Sequence, residues 1–391
     1  MNELKHIYML SNEIGSRGST KSNEELAAQY IIDEMEKAGL DDVEMQNFSS
    51  VKSFSWTYGF ICLSFVLAFF IFLTSPLLAF IICIFSLITF NNEINTKETI
   101  SKFMPKGSSQ NIIGKIPAQK YPIKKLIFVA HYDTSKSAIS FHPELVKNFR
   151  STFLLGYFSM VMLTSVFGIS VILRSFDFNV FKTLCYLTIP FVLVLFLFFL
   201  VMLHREIFGE YTPGANDNAS GVSVLLETAK EVKKNPPEFI ETCFLATGCE
   251  EAGAVGMIKF LEEYNPDKQN TFFINIDNIG SGDLKYIMKE GILKKYASND
   301  KLLKKASLSA QEKPEIKVSG APYHLLITDA TAALARNYKA MTILAMNKEG
   351  LLPNWHWHTD TIERIEKNNL LGARTLALRI LYNIDESINS F

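Results

Sequence analysis

Histidine and carboxylate side chains follow short apolar segments at several points along this chain of 391 residues. They are His131 and Asp133 after LIFVA, Asp217 within TPGANDNASG, Glu250 and Glu251 after FLAT, and Asp277 after FFINI. If the apolar segments are neighbouring strands of one sheet, these side chains meet in one crevice, where carboxylates repel one another unless a cation holds them. Histidine and carboxylate ligands suit zinc, and shared carboxylates suit a two-metal site. The sequence therefore predicts a metal centre.

Each motif taken alone also has a simpler explanation. A histidine two residues before an aspartate can be a satisfied side chain in a turn, and adjacent glutamates usually lie on a solvated surface. Asp277 after an apolar strand can cap the next element. The loop at 212–221 has the glycines of a phosphate-binding loop but lacks a lysine at the start of the following helix. The metal-site hypothesis is favoured because the simpler explanations require four separate motifs to occur by coincidence in the right order along the chain.

The elements that position these residues are predicted by hydrophobic periodicity. An amphipathic helix begins at Ser22, runs to about residue 38 and ends at Gly39. Short β-rich segments then alternate with helical patterns: strands at 126–130, 242–246, 272–276 and 341–345, and helices at 222–233, 254–263, 329–336 and 365–384. This alternation predicts an α/β fold with a mixed, largely parallel sheet flanked by helices. Ligands of such sheets bind beyond the carboxyl ends of the strands.

Four apolar segments interrupt this pattern. Residues 53–92 carry no charge and are broken once, at Thr74-Ser75-Pro76, which predicts helices at 54–73 and 77–91 joined by a turn. Two more charge-free segments lie at 151–173 and 183–203. Core helices of soluble domains rarely run this long without a charge, so we expect four transmembrane helices inserted into one domain. The predicted domain comprises 1–52, 93–150 and 204–391, with transmembrane hairpins at 53–92 and 151–203.

The distribution of basic residues predicts an orientation in the membrane. An even number of crossings places all three polar segments on one side, which carries Lys52, Lys97, Lys102, Lys106, Lys147, Arg150 and Arg205 beside the helices. The opposite side has one short loop, which is itself basic and carries Arg174 and Lys182. The positive-inside rule favours a multi-pass protein of the cell membrane with a cytoplasmic polar domain. The net charge of −1 gives no indication of nucleic-acid binding.

The motifs together resemble those of the co-catalytic zinc exopeptidase family. That family includes bacterial leucyl aminopeptidases and glutamate carboxypeptidases and shares its fold with glutaminyl cyclases. The motifs are EIGSRGSTKSNEELAAQYI at 13–31, HYD at 131–133, GANDNASG at 214–221, EEAG at 250–253, NIDNIG at 275–280 and HWHTDT at 356–361. They span nearly all of the polar sequence, whereas the four apolar helices have no counterpart in soluble members. The chain thus looks like a membrane-embedded member.

The resemblance implies a role for each site residue. His131 and Asp277 would hold one zinc ion, Glu251 and a C-terminal histidine would hold the second, and Asp217 would bridge the two. Glu250 would be the general base, and Asp133 would accept the ring N–H of His131. Cobalt or manganese can replace zinc at such ligands. The family also implies a cis peptide between Asp217 and Asn218.

The C-terminal ligand is either His356 or His358. The family places its ligand four residues before an acidic residue, and counting back from Asp360 selects His356. Thr328-Asp329 resembles a Ser-Asp pair near the family's substrate pocket, whereas Tyr323 and His324 are pocket candidates by position alone.

The predicted function is a membrane-anchored di-zinc metallopeptidase, with aminopeptidase activity preferred over carboxypeptidase activity. A glutaminyl-cyclase-like acyl transferase and a non-catalytic scaffold are the alternatives. Only about ten residues separate Leu203 from Gly214, so at about 3.5 Å per residue the site lies within a few nanometres of the bilayer. The substrate expected from this proximity is a hydrophobic or membrane-derived peptide, although helices that serve only as an anchor explain the pattern equally well.

Overall fold

The computed structural model describes residues 2–173 and 178–389, which form two compact units. The first comprises Met1–Lys52, Lys106–Ser137 and Glu210–Phe391, and the second comprises Ser53–Pro105 and Ala138–Gly209. Three of these boundaries differ from those predicted from the sequence. The sequence analysis assigned 93–105, 138–150 and 204–209 to the polar domain, whereas these segments belong to the second unit. Segment 94–105 belongs with the second unit because Glu93, the last residue of an apolar helix, accepts hydrogen bonds from the N–H groups of Thr99 and Ser101 at 2.7 and 3.0 Å.

The first unit is built on a mixed β-sheet. Within the described residues its strands are β1 (Asp41–Val51), β2 (Lys106–Ile116), β3 (Lys124–His131), β4 (Ile240–Thr247), β5 (Thr271–Ile276), β6 (Asp283–Glu290), β7 (Tyr296–Ala297), β8 (Ser319–Pro322) and β9 (Lys339–Met346). The order is β1-β2-β4-β3-β5-β9-β6-β7, with β8 beside β6. The central strands β4, β3, β5 and β9 are mutually parallel, whereas β1, β2, β6 and β7 pair antiparallel along this order.

The four strands predicted from apolar segments are confirmed as this parallel centre. Their residues are buried almost throughout, which is the pattern of a strand covered on both faces. The outer strands were not predicted. β1 has the sequence DDVEMQNFSSV, with few apolar residues, and β6 lies in a stretch without a recognisable motif. Such strands are defined by the neighbours they pair with more than by their own composition.

Helices cover both faces of the sheet. In the first unit they are α1 (Asn2–Tyr8), α2 (Ser22–Lys37), α7 (Gly221–Lys234), α8 (Val255–Tyr264), α9 (Asp300–Glu312), α10 (Asp329–Ala335) and α11 (Lys367–Asn389). Successive side chains of β3 point to opposite faces of the sheet. Phe128 packs in the core that includes α2, α7 and α11, and Val129 packs in the core that includes α8 and α10. The predicted flanking helices are confirmed. The helix α2 is followed, as expected, by Gly39, whose φ of 75° lies in the left-handed region.

The second unit contains the four apolar helices: α3 (Phe54–Phe72), α4 (Pro76–Glu93), α5 (Phe149–Leu173) and α6 (Phe178–Phe208). By length and composition, the described part of the chain has four helices able to cross a membrane. Phe72 stacks on Phe167 with ring centroids 4.2 Å apart, and the Ser64 and Ser86 hydroxyls lie 2.7 Å apart. Outward-facing side chains are apolar and highly exposed, including Phe85 at 69%. Apolar outer faces of this kind are typical of lipid contact.

The helix α6 is longer than the apolar segment predicted from the sequence, which ended at residue 203, before Arg205. Its last turns include Arg205, which is buried in the second unit and lies 4.2 Å from the centroid of the Phe54 ring. The guanidinium donates hydrogen bonds to the hydroxyls of Ser53 and Ser55 at 3.1 and 2.7 Å. A partnered arginine of this kind is tolerated inside a helical bundle. Arg174, which the sequence placed at the end of the third apolar segment, lies outside the described residues.

Candidate active site

The predicted site residues lie at the carboxyl ends of the parallel strands. His131 is the last residue of β3 and pairs in register with Thr247, the last residue of β4. Asp277 directly follows β5, and its N–H donates to the carbonyl of Ile343 on β9 at 3.0 Å. Since parallel strands end at the same edge of a sheet, this register brings residues that are far apart in the chain to one crevice.

Five of these side chains form two groups that share Asp217. The Nε2 atom of His131 lies 3.3 Å from Asp217 Oδ1 and 3.3 Å from Asp277 Oδ1. The Nε2 atom of His356 lies 3.3 Å from Asp217 Oδ2 and 3.1 Å from Glu251 Oε1. All five residues are buried. Each oxygen of the Asp217 carboxylate thus faces a different histidine.

The chemistry of these donors fits metal ions. In each group the donor atoms lie within 4.8 Å of one another, a spacing at which one cation can contact all three. Burial alone would lower the pKa of His356, but the carboxylates of Glu251 and Asp217 outweigh it and raise this pKa to about 9. The same balance, with Asp277 as the principal carboxylate, raises the pKa of His131 well above its ordinary value. A pocket that stabilises positive charge this strongly is suited to hold cations.

The two adjacent glutamates have different environments. Glu251 is buried beside His356, whereas Glu250 is half-buried. Burial raises the pKa of Glu250 well above its ordinary value; the positive charge of His131 opposes this, and the carboxylates of Asp329 and Glu251 reinforce it. A half-buried carboxyl group whose pKa is raised is suited to accept and release protons.

Asp133 connects the two halves of the site. Its carboxylate accepts the backbone N–H groups of Glu250 and Glu251 at 3.0 and 3.2 Å, and the Ser19 hydroxyl at 2.7 Å. The Nδ1 atom of His131 lies 3.2 Å from the backbone carbonyl of Asp133 and 3.5 Å from its carboxylate. The structure therefore places Asp133 beside His131, with its backbone carbonyl nearer to the imidazole than its carboxylate. It also places Asp133 under the glutamate pair, which the sequence did not indicate.

Two residues without a predicted role hold the loop of Asp217. Asp360 is buried and accepts the N–H groups of Asn216 and Asp217 at 2.6 and 3.0 Å. Arg17 is fully buried and donates to the carbonyls of Tyr132 and Gly214 at 2.8 and 2.9 Å. Both lie in motifs that the sequence singled out, HWHTDT and EIGSRGST, but side-chain to backbone bonds have no sequence pattern of their own. The expected cis peptide between Asp217 and Asn218 is present.

The structure separates the two candidate histidines. His356 is 5% exposed and lies against Asp217 and Glu251, whereas His358 is exposed. The two imidazoles therefore differ in access to the centre, even though the sequence places them only two residues apart.

A further group of buried polar residues lies at the start of α10. Thr247 donates its hydroxyl to Asp329 at 2.5 Å, and burial raises the pKa of Asp329 to about 7 against the positive charge of His131. Glu290 on β6 is buried and accepts hydroxyl hydrogen bonds from Thr328, Thr331 and Thr342 at 3.0, 2.6 and 2.8 Å. Glu290 was missed because nothing in its local sequence distinguishes it from a solvated glutamate.

Known proteins with solved structures share this architecture. A zinc aminopeptidase from Bacillus subtilis, BSAP, superimposes with a TM-score of 0.56 at 15% identity, covering 98% of this chain and 94% of that one. The chain has a zinc aminopeptidase fold. The glutaminyl cyclase of Bacteroides thetaiotaomicron, bound to N-acetylhistamine, superimposes with a TM-score of 0.53 at 17% identity, covering 97% of each chain. The zinc aminopeptidase fold thus includes proteins with different reactions.

Sequence comparisons agree with this zinc aminopeptidase fold. The profile of Peptidase family M28 matches residues 200–381. Aminopeptidase YwaD of Bacillus subtilis (strain 168) is 38% identical over 73 residues, which are 18% of this chain and 16% of the relative. The alkaline phosphatase isozyme conversion protein of Escherichia coli (strain K12) is 40% identical over 75 residues, which are 19% of this chain and 21% of the relative. The alignments span about a fifth or less of these relatives.

Proposed function

We propose that this protein is a zinc-dependent exopeptidase of the aminopeptidase type that is anchored in a membrane by α3, α4, α5 and α6. The observation that carries the proposal is the pair of buried donor groups that share Asp217, with the half-buried carboxyl of Glu250 next to them. The match to Peptidase family M28 and the similarity to YwaD, which is named an aminopeptidase, support the same reaction class.

The donor groups define how two metal ions would be held. His131 and Asp277 would bind one ion, Glu251 and His356 would bind the other, and Asp217 would contribute one oxygen to each. Zinc suits this donor set, and cobalt or manganese suits the same ligands. When bound, such ions lower the pKa of a water molecule and polarise the scissile carbonyl.

The remaining residues would move and direct protons. Glu250 would take a proton from the attacking water and later deliver it to the leaving amine, so that one carboxyl serves first as base and then as acid. Asp133 would hold the backbone of Glu250 and Glu251 in place through its two N–H contacts. Tethering both glutamates to one carboxylate would keep the base aligned with the metal ligands, since misplacement of a catalytic group by about 1 Å can cost 10²-fold in rate.

Two other functions are compatible with the fold. A glutaminyl cyclase shares it, and that neighbour carries out a different reaction on the same scaffold. A non-catalytic scaffold is the other alternative, but scaffolds typically lose donor residues, whereas two complete groups are brought together in this chain. An aminopeptidase is preferred because the donor set offers places for two ions and an independent base.

The reaction class can be tested with purified, detergent-solubilised protein. We expect aminoacyl-4-nitroanilides with a free amine to be hydrolysed, N-acetylated forms to be resistant, and activity to be lost with a chelator and restored by zinc. Metal analysis of the same sample should give two ions per chain. Cyclisation of N-terminal glutaminyl peptides without any hydrolysis would favour the cyclase, and the lack of both bound metal and activity would favour the scaffold.

We also propose that the four apolar helices cross the bilayer, with the metal-binding unit on the cytoplasmic side. Helix length, apolar composition and the basic residues near the helix ends support this arrangement. Along the chain, residues 132–148 connect His131 to α5, and residues 209–216 connect α6 to Asp217. A hydrophobic or membrane-derived peptide would suit a site connected to the membrane in this way. We therefore expect the detergent-solubilised protein to cleave apolar peptides faster than polar ones.

Cysteine labelling tests the orientation. Lys102→Cys and Lys182→Cys place a thiol on opposite sides of the predicted membrane. We expect a membrane-impermeant maleimide to label Lys182→Cys in intact cells and to label Lys102→Cys only after permeabilisation. The wild-type chain is the control for its five native cysteines. The reverse labelling pattern would place the metal-binding unit outside, and equal labelling of both sites before permeabilisation would argue against four crossings.

A further inference from the structure

The turn that carries Glu250 and Glu251 is held by a series of side-chain oxygens. Four successive backbone N–H groups, those of residues 248–251, each donate to a side chain rather than to the backbone. Gly248 donates to Asn111 at 3.1 Å, Cys249 donates to Glu24 at 3.0 Å, and Glu250 and Glu251 donate to Asp133 at 3.0 and 3.2 Å. The shape of this turn is therefore set by residues outside it.

Glu24 is the ionisable member of this series that no proposed step uses. It lies in the first turn of α2 and is 1% exposed. One oxygen accepts the N–H of Thr20 at 2.7 Å, and the other accepts the Ser109 hydroxyl and the Cys249 N–H, each at 3.0 Å. A carboxylate buried at such a cost in desolvation is retained only where it is well supplied with donors.

The backbone at Cys249 needs this support. Cys249 has a φ of 53°, in the left-handed region that side chains other than glycine adopt only at some cost. The preceding Gly248 has no room for a side chain, since a Cβ there would lie 2.6 Å from the Ser109 hydroxyl and 2.6 Å from the Gln110 carbonyl. The turn thus approaches β2 closely and then reverses at the residue that Glu24 holds.

We propose that Glu24 is a positioning residue for the catalytic base: by holding the N–H of Cys249, it keeps the turn in the conformation that presents Glu250 to substrate while Glu251 faces His356. This inference rests on the proposed function of Glu250. Asp133 holds the two glutamates from one side, and Glu24 holds the residue directly before them. A hydrogen bond therefore joins Glu24 to Cys249, although the two residues lie more than 200 positions apart in the chain.

The variant Glu24→Gln tests the proposal. Glutamine has nearly the same shape but keeps only one acceptor oxygen, so its amide group must face one of the donors that the carboxylate accepts. We expect kcat to fall by about 10- to 100-fold, with KM within about twofold and the metal content unchanged. Backbone amide exchange of the peptide containing residues 248–251 should become at least about tenfold faster.

The matched control is Glu25→Gln, because Glu25 is the exposed neighbour on the same helical turn. It should leave kcat, metal content and amide exchange unchanged. If Glu24→Gln does not fold, Glu24→Asp provides the second variant, since its shorter side chain keeps the charge but withdraws it from Cys249. The proposal is overturned if a folded Glu24 variant retains wild-type kcat and exchange, or if activity and metal are lost together.

Failure of this inference is distinguishable from failure of the proposed function. If the wild-type protein hydrolyses no peptide, the exopeptidase assignment is wrong, but amide exchange at residues 248–251 still reports whether Glu24 holds the turn. If the wild type is active and exchange in Glu24→Gln is unchanged, the exopeptidase assignment stands and the positioning role of Glu24 is wrong.

Discussion

Replacement of Glu250 by glutamine is expected to reduce kcat by a factor of about 10²–10⁴, the usual contribution of a general acid–base group. Glutamine preserves the shape of the side chain but does not accept a proton from water. The backbone N–H of residue 250 still donates to Asp133, and the five proposed metal ligands are untouched. Metal content and KM should therefore stay near their wild-type values. Steady-state kinetics and metal analysis of the same preparation provide the measurement.

The control for this variant is Glu262→Gln, an exposed position on α8 that pairs with Lys259 at the surface. It should have wild-type kinetics, because an exposed ion pair contributes little to stability. A Glu250→Gln enzyme with at least a third of the wild-type kcat would show that another group transfers the proton. Loss of metal in the same variant would assign Glu250 to metal binding instead.

Removal of the imidazole at position 356 is expected to have an effect of similar size through a different cause. His356→Ala takes away the nitrogen that lies 3.3 Å from Asp217 and 3.1 Å from Glu251, leaving one donor group with carboxylates only. We expect the metal content to fall from two ions to one per chain and kcat to fall by at least about 100-fold. Metal analysis after dialysis, with kinetics at saturating substrate, measures both effects.

His358→Ala is the matched control, since it removes the same side chain from an exposed position two residues away. It should keep both ions and stay within about twofold of the wild-type kcat. The opposite result, with metal lost in His358→Ala and retained in His356→Ala, would transfer the ligand role to His358. Equal metal content in both variants would show that neither imidazole is required to hold an ion.

Much of the fold could be predicted because it is expressed in local patterns. A strand buried on both faces is a short apolar run, and an amphipathic helix repeats its apolar residues every three to four positions. Both signals are present around β3, β4, β5 and β9 and in the helices between them, and these predictions are confirmed. The four long apolar helices were recognisable for the same reason, although charges inside α6 made that segment look shorter than the helix it forms.

The antiparallel edges of the sheet could not be predicted in this way. β1 and β2 pair along nine registered positions, yet much of β1 is polar and half-exposed. An edge strand is stabilised mainly by backbone hydrogen bonds to its neighbour, and these leave little trace in side-chain composition. Its existence depends on where the rest of the sheet lies.

The sequence by itself determined which residue types follow the strands and in what order, and hence that histidines and carboxylates meet at one edge of a parallel sheet. Only the tertiary structure decided which side chains share contacts: that Asp217 presents one oxygen to His131 and the other to His356, and that His358 remains exposed. The tertiary structure also decided that Glu24 accepts the N–H of Cys249, which lies 225 positions later in the chain. The physical reason is that period and composition are local properties, whereas the partner of a buried polar group is set by packing between segments far apart in the chain.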